Sequence, residues 1–271
     1  MTRIELDGDD VVGIRAGNPG PFSLTGTNSW IVGRDPAWLI DPGPALDEHV
    51  RALQDELRAR GGLGAIVLTH DHHDHTQAVP AIAESFAGAL VAASRGEVDV
   101  VLSDGDQLGP LTAISTPGHA SDHLAFLLTG RAVLFSGDAV LGEGSTIILP
   151  EPGALAGYLR ALERLKALQP EVILPGHGPV VSDPIAKLDE YIAHRLERER
   201  LLIDALASGR RTVDELLDAA WSDVAPPMRP AAAVALAAHL DKLEDEGRLP
   251  DSVERPQGIE QLVRAAADAG A

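Results

Sequence analysis

The sequence predicts a mixed α/β domain, its strands buried under helices, followed by a small, mainly helical, winged-helix-like domain. Three observations carry that expectation. Short apolar runs of three to five residues, most of them bordered by glycine, recur through the first two thirds of the chain. Two amphipathic stretches with apolar residues three and four positions apart lie among them. From Asp183 onward the texture changes to charged, alanine-rich segments with helical spacing. The division is therefore expected at residues 1–182 and 183–271.

The first helix is predicted over Ala45–Arg60, where Leu46, Val50, Leu53 and Leu57 share a face and Gly61-Gly62 supplies the stop. Ala65–Leu68 is apolar, too short for a helix and preceded by glycine, which reads as a buried strand. Leu111–Ser115, Leu124–Leu128, Ala132–Phe135 and Val172–Leu174 read the same way. A second amphipathic helix is predicted over Ala154–Gln169, with Leu155, Leu159, Leu162 and Leu165 on one face. Strands lying among such helices pack beneath them. In the tail, helices are expected over Asp183–Leu206, Thr212–Trp221 and Pro230–Gly247. Thr212 and Glu215 have the spacing of a capping box. An irregular stretch with Pro250 and Pro256 precedes a last alanine-rich helix.

Composition narrows the function. The formal charge of −19 opposes long-range attraction for phosphate polymers, whose non-specific affinity comes from Lys and Arg. Residues from Asp183 onward hold 11 basic and 18 acidic side chains, so the tail is acidic too. A DNA partner is not expected, and the tail reads rather as a lid or as a dimer contact within a homo-oligomer. No apolar run reaches about 18 residues, so no membrane partner is expected. The polar, acidic start and the lack of cysteine predict a cytoplasmic address and exclude thiolate metal sites.

The chemistry concentrates at Thr69-His70-Asp71-His72-His73-Asp74-His75. Residues i and i+2 of a helix point apart, so His70 and His72 can share an ion only on an extended or turning backbone. The strand ending at Leu68 supplies it, and Thr76 is available to cap the helix that follows. His119, Asp138 and His177 stand in equivalent places, each in a glycine-containing turn just past an apolar strand. Zinc takes imidazole nitrogen and carboxylate oxygen at about 2.0–2.2 Å and needs no cysteine. Iron or manganese suits the same donors. His73 and Asp71 fall between ligand positions and are expected to face solvent. His49, His194 and His239 lie in helical stretches and read as structural or exposed. Asp41 is expected to brace the site loops by accepting hydrogen bonds. His123 stands open between a brace behind a ligand, a substrate contact and a core residue.

The His-x-His-x-Asp-His element at 70–75, with His119, Asp138 and His177, resembles the signature of the metallo-β-lactamase superfamily. Gly26-Thr27-Asn28-Ser29-Trp30 and Ile40-Asp41-Pro42-Gly43 resemble its first strands and Asp-Pro-Gly turn. The resemblance covers residues 1 to about 182 and implies an αββα sandwich with a metal cleft at one edge. It implies that His70, His72 and His119 hold one divalent ion, that Asp74, His75 and His177 hold a second, and that Asp138 bridges them. Asn18-Pro19-Gly20-Pro21-Phe22, the pair Asp122-His123 and the helical tail are similar to the branch that includes the β-lactamase-like protein 2 proteins. Many relatives carry a small residue and Gly after the last His of the first motif. Here Thr76-Gln77 follows, which is expected to narrow or reshape the pocket beside the second ion.

The expected activity is that of a binuclear hydrolase. Two ions sharing a water lower its pKa from about 15.7 toward 7, which provides a bridging hydroxide at neutral pH. Asp74 is the candidate catalytic residue, orienting that nucleophile and passing a proton to the leaving group. The first expectation for the substrate is a small acyl compound: a thioester, ester or lactone. Cleavage of single-stranded RNA, which the branch resemblance implies, is the alternative. A non-catalytic module and a DNA-binding regulator are the readings from other classes.

Overall fold

A computed structural model describes residues 2–6 and 10–259. Two sheets lie face to face. The first has seven strands in the order β1 (Thr2–Glu5), β2 (Val11–Arg15), β3 (Asn28–Val32), β4 (Ala37–Ile40), β5 (Leu63–Val67), β6 (Leu90–Ala93) and β7 (Val100–Val101). The second has the order β12 (Val172–Pro175), β11 (Val133–Gly137), β10 (Leu124–Leu128), β9 (Leu111–Ser115) and β8 (Gln107–Leu108). Pairing is parallel from β4 to β7 and between β11 and β12, and antiparallel elsewhere.

Side chains of a strand alternate between its faces, and here both faces are covered. In β10, Leu124, Phe126 and Leu128 enter the core between the sheets, while Ala125 joins the core beneath the helices of the second sheet. In β11, Val133 and Phe135 take the first direction and Leu134 the second. Trp30, Ile40, Val67 and Leu174 complete the inter-sheet core. On the far side of the first sheet, Ile31, Leu39 and Ile66 pack with Leu53 and Leu57 of α1 (Asp47–Ala59) and Ile82 of α3 (Val79–Ser85). Under the second sheet, Leu155, Leu162 and Leu165 of α4 (Ala154–Ala167) fill the opposite layer. The result is the expected αββα order.

The predicted strands and long helices are present, with ends shifted by a few residues. The sequence pattern does not show β6, β7, β8 or the short helix α3, whose runs are brief. Nor does it show β1 and β2, where the interior Gly13 mutes the strand pattern. That glycine is used for packing: a Cβ there would lie 2.6 Å from Cζ3 of Trp30.

Asp183 caps the helix that opens the tail, accepting the Ala186 N–H at 3.1 Å. That helix, α5 (Pro184–Ala207), serves two cores. Leu188, Tyr191 and Ile192 pack under the second sheet, whereas Leu202, Ala205 and Leu206 pack with α6 (Val213–Ala220) and α7 (Arg229–Asp245). The change of texture at residue 183 thus marks where the chain turns helical, and the tail's own core begins near Leu202. The Thr212–Glu215 capping box forms as predicted. Residues 248–259 contain no strand, so the wing is irregular among the described residues. The expected last helix lies outside the described residues. Among those described, no helix is long and apolar enough to cross a membrane.

His49 is structural, as expected, and fully buried. Its Nε2 lies 3.0 Å from both Ser29 Oγ and the Pro42 carbonyl. Burial is the main reason its pKa falls from 6.5 to about 4. The unfolded chain therefore binds the proton first, and this contribution to stability, full above 6.5, is lost as pH falls toward 4. Between about pH 7.5 and pH 5 the wild type is expected to lose about 2 kcal/mol more stability than His49→Gln. Urea denaturation at both pH values checks this; parallel losses would refute it.

Candidate metal centre

The site lies where β5, β9, β11 and β12 end on the same edge of the sandwich. After Val67 the chain leaves the sheet through Thr69 and His70, and His72–Thr76 coils into one turn of helix, α2 (His73–Thr76). His119, Asp138 and His177 follow the ends of β9, β11 and β12. The structure brings all seven predicted ligand residues together. Three overlapping groups place their ligand atoms within 4.8 Å of one another: His70, His72 and His119; His70, His75 and Asp138; Asp74, His75 and His177. His119 Nε2 is 3.2 Å from His72 Nδ1, and His75 Nε2 is 3.3 Å from His177 Nε2. Asp138 lies between the outer groups, one oxygen 3.5 Å from His75 Nε2 and the other 3.6 Å from His119 Nε2 and 3.4 Å from His177 Nε2.

Neighbours behind the ligands fix which nitrogen points inward. The Thr69 hydroxyl is 2.9 Å from His70 Nδ1, leaving His70 Nε2 free. His119 Nδ1 faces the Ile147 carbonyl at 3.0 Å and the Thr146 hydroxyl at 3.2 Å. Asp41 is the brace the sequence predicts. It accepts from the Thr69 N–H at 2.8 Å and the Thr69 hydroxyl at 2.7 Å, and it lies 2.8 Å from His75 Nδ1. Its own backbone is left-handed, with φ of 50°. His123 is a brace as well: its Nε2 accepts the Asp138 N–H at 3.0 Å, and its Nδ1 meets the Thr116 hydroxyl at 2.7 Å.

The donor set fits a pair of cations. His70 Nε2 and Asp138 Oδ1 are buried without a hydrogen-bond partner, a costly state unless an ion completes them. Charge balance says the same. Burial opposes a proton on His75, yet Asp74, Asp138 and Asp41 outweigh it and push its pKa up to about 9. His177 is pushed up to about 10 against its burial, chiefly by Asp138 and Asp74. Burial, with His119 beside it, holds His72 down to about 4. His70, pushed well below its ordinary value chiefly by burial, and His72 therefore stand as neutral rings, the ligating form, and loading the second group is linked to proton release.

Gly176 is where close approach is required. A Cβ there would lie 2.6 Å from Asp138 Oδ1 and 2.8 Å from His75 Cε1. Gly176→Ala is expected to push these two ligands apart and weaken metal retention by roughly tenfold or more, as disturbing ligand support does. Competition with a chelator measures it, and retention equal to wild type would show that the contact yields freely.

Two details differ from the sequence reading. Thr76 does not cap a following helix. It ends the single turn α2, and its hydroxyl donates back to the His72 carbonyl at 3.1 Å. The pair Thr76-Gln77 also does not line the cleft: Gln77 Oε1 faces the Ala45 N–H at 3.4 Å, so no narrowing arises from it. His73 and Asp71 are exposed, as expected. One contributor escaped the sequence reading. The Thr27 hydroxyl donates to Asp74 Oδ2 at 3.1 Å and is itself held by Asn18 Nδ2 at 3.0 Å. Both residues sit in segments noted for resemblance, which was the available signal.

The cluster opens into a cavity of about 370 Å³. His72, Asp74, His119, Asp138 and His177 line one part of it, and Leu141, Ile148 and Leu149 another. Residues 21–24 and 143–147 also line it, and the helical tail supplies a further wall, through Arg195, Trp221, Val224, Met228, Ala232 and His239 among others. The tail is thus part of the cleft.

An αββα sandwich with this ligand set at its edge defines a class, and comparison with known families agrees. The model of the metallo-beta-lactamase superfamily matches residues 23–99 and 94–177, and the chain belongs to that superfamily. Residues 212–252 match the beta-lactamase associated winged helix domain. Within the superfamily the chain is similar to a beta-lactamase-like protein 2 homolog of Caenorhabditis elegans, 36% identical over 219 residues, or 75% of this chain and 73% of that protein. It is also similar to an atrochrysone carboxyl ACP thioesterase of Aspergillus chevalieri, 36% identical over 212 residues, 74% of this chain and 67% of that one. A solved metallo-beta-lactamase family protein of Thermus thermophilus superposes with a TM-score of 0.70 at 26% identity, covering 88% of this chain and 94% of its own.

Proposed function

We propose that the chain is a binuclear metal-dependent hydrolase acting on a small acyl substrate: a thioester, ester or lactone. The observation that carries this reading is the joining of the metal cluster to a walled cavity whose lining surface is mainly apolar. A long, charged polymer has little to hold in such a cavity, and the chain's charge of −19 opposes it. The similar Aspergillus protein is named as an acyl carrier protein thioesterase, which supports the same chemistry.

His70, His72 and His119 would hold one ion, Asp74, His75 and His177 the other, with Asp138 between them. When bound, the ions supply an activated water and polarise the substrate carbonyl. Zinc fits imidazole and carboxylate donors without thiolate, and iron or manganese remains an alternative. The protein does the rest. Asp74, fixed by Thr27, orients the attacking water and carries a proton to the leaving group. Leu141, Ile148, Trp221 and Val224 enclose the acyl part and exclude bulk water.

Metal-loaded protein should be assayed with a panel of short acyl thioesters and, in parallel at low salt, with an unstructured RNA. Thioester turnover with intact RNA is expected. RNA cleavage without thioester turnover would overturn the proposal.

A further inference from the structure

Among the described residues, the helical wall of the cavity holds a buried cation that makes no ion pair. Arg195 of α5 is 5% exposed and lines the cavity. One guanidinium nitrogen, Nη2, donates to Ser145 Oγ and to the Thr146 carbonyl, and the group sits over the Tyr158 ring, 5.6 Å from its centroid. Its Nε is buried and unpartnered. Two acids on or beside the tail's wall are committed elsewhere. Glu199, one turn along α5, is paired with Lys242 at 2.7 Å and Arg248 at 3.2 Å. Asp223 is paired with Arg198 at 2.7 Å. Glu143, also on the lining, is exposed and makes no ion pair among the described residues.

His239 of α7 stands on the same wall. It is 1% exposed, and both ring nitrogens are buried without a partner. Its ring meets Trp221 edge-on, with centroids 5.7 Å apart. Burial, with Arg195 and Lys242 nearby, holds its pKa down to about 3, so the ring is neutral and offers one N–H donor and one acceptor. A buried donor left without a partner is costly, and a buried unpaired guanidinium more so. Both costs are offset if the cavity's occupant brings one negative charge with hydrogen-bond acceptors.

We propose that Arg195 and His239 form an anion-binding subsite in the tail's wall of the cavity, so that the preferred substrate is an acyl group whose far end carries a carboxylate. A single charge fits, because on the tail's wall, among the described residues, Arg198 is already neutralised by Asp223 and the Arg195 charge is left over. The same cavity is also lined by Leu141, Ile148 and Leu149, which suit the methylene or ring segment joining carboxylate to scissile carbonyl. The proposal rests on the acyl-hydrolase reading for its substrate, but not for the subsite itself.

The test uses two matched thioesters of N-acetylcysteamine, glutaryl and pentanoyl, which differ in a terminal carboxylate against a methyl. Metal-loaded full-length protein is expected to favour glutaryl in kcat/KM by roughly 10- to 100-fold, the range of a hydrogen bond to a charged group. In Arg195→Met and in His239→Leu that ratio should fall toward one. The ratio cancels any general effect of Arg195 on His119 through Thr146. Metal-free protein is titrated in parallel with monomethyl glutarate, which reads the subsite without turnover. Wild type should bind it, and both variants should bind it at least about tenfold more weakly. If neither thioester is hydrolysed but monomethyl glutarate binds as described, the hydrolase reading fails and the subsite stands. A wild-type ratio near one, or monomethyl glutarate binding equally to wild type and both variants, overturns the subsite.

Discussion

Asp74→Asn is expected to slow single-turnover hydrolysis by roughly 10²- to 10⁴-fold at full metal occupancy, the contribution of a positioned proton-transfer group. Burial alone would raise the Asp74 pKa. His75 and His177 outweigh it and hold the carboxyl well below the usual carboxylate range. The group is therefore an anion within the ligand cluster, with Oδ2 3.2 Å from His177 Nε2 and anchored by the Thr27 hydroxyl. An amide preserves the shape but cannot take up a proton at neutral pH. Metal content measured on the same sample separates lost chemistry from lost ion. Asp71→Asn is the control. Asp71 is exposed and pairs with Arg95 at 2.8 Å, so its removal should leave turnover within a few-fold of wild type. Unchanged turnover in the fully loaded Asp74 variant would remove Asp74 from the mechanism.

The second large effect is expected behind the ligands. Asp41→Ala should weaken metal binding at the Asp74, His75 and His177 group by about 10- to 100-fold. It should also lower stability by roughly 1–3 kcal/mol for each buried group left unpaired. Asp41 holds three partners at once, the Thr69 N–H, the Thr69 hydroxyl and His75 Nδ1, and it does so from a left-handed backbone that Asp tolerates better than most residues. Asp41→Asn is informative too. Its carbonyl oxygen can still accept from Thr69, but its NH₂ would then face the N–H of His75. The amide variant should keep most of the stability and lose most of the metal affinity. Chelator competition with urea denaturation on both variants checks the pair of effects. Wild-type metal affinity in both would mean that His75 is oriented by something other than Asp41.

How much was legible beforehand follows from the range of the interactions. A ligand-type residue just past an apolar strand is a local pattern, and it occurs at His70, His119, Asp138 and His177. Strand length, apolar composition and glycine turns are set within a few residues, so these positions could be read from the chain alone. Asp41 was readable for the same reason, as a carboxylate ending a strand. The role of His123 was not, because being a brace depends on Asp138, 15 residues away. Thr27 carries no local sign of its role, because nothing near it in the chain shows Asp74, 47 positions on, as its partner. Thr76 failed as a cap because the helix it was meant to start is a single turn that ends on it.

Spacing and residue type were enough for a mixed α/β domain, the helical tail and the candidate ligands, since each rests on short-range periodicity or on one residue beside one strand end. The αββα order and the grouping of the ligands came instead from the family resemblance. Only packing at long range could place the tail against the cleft and split α5 between two cores. The same packing leaves Arg195 buried on the cavity wall with no ion pair, and His239 with no hydrogen-bond partner, among the described residues. Burial and missing partners are properties of three-dimensional neighbourhood, and no linear pattern records which charges have been left uncompensated.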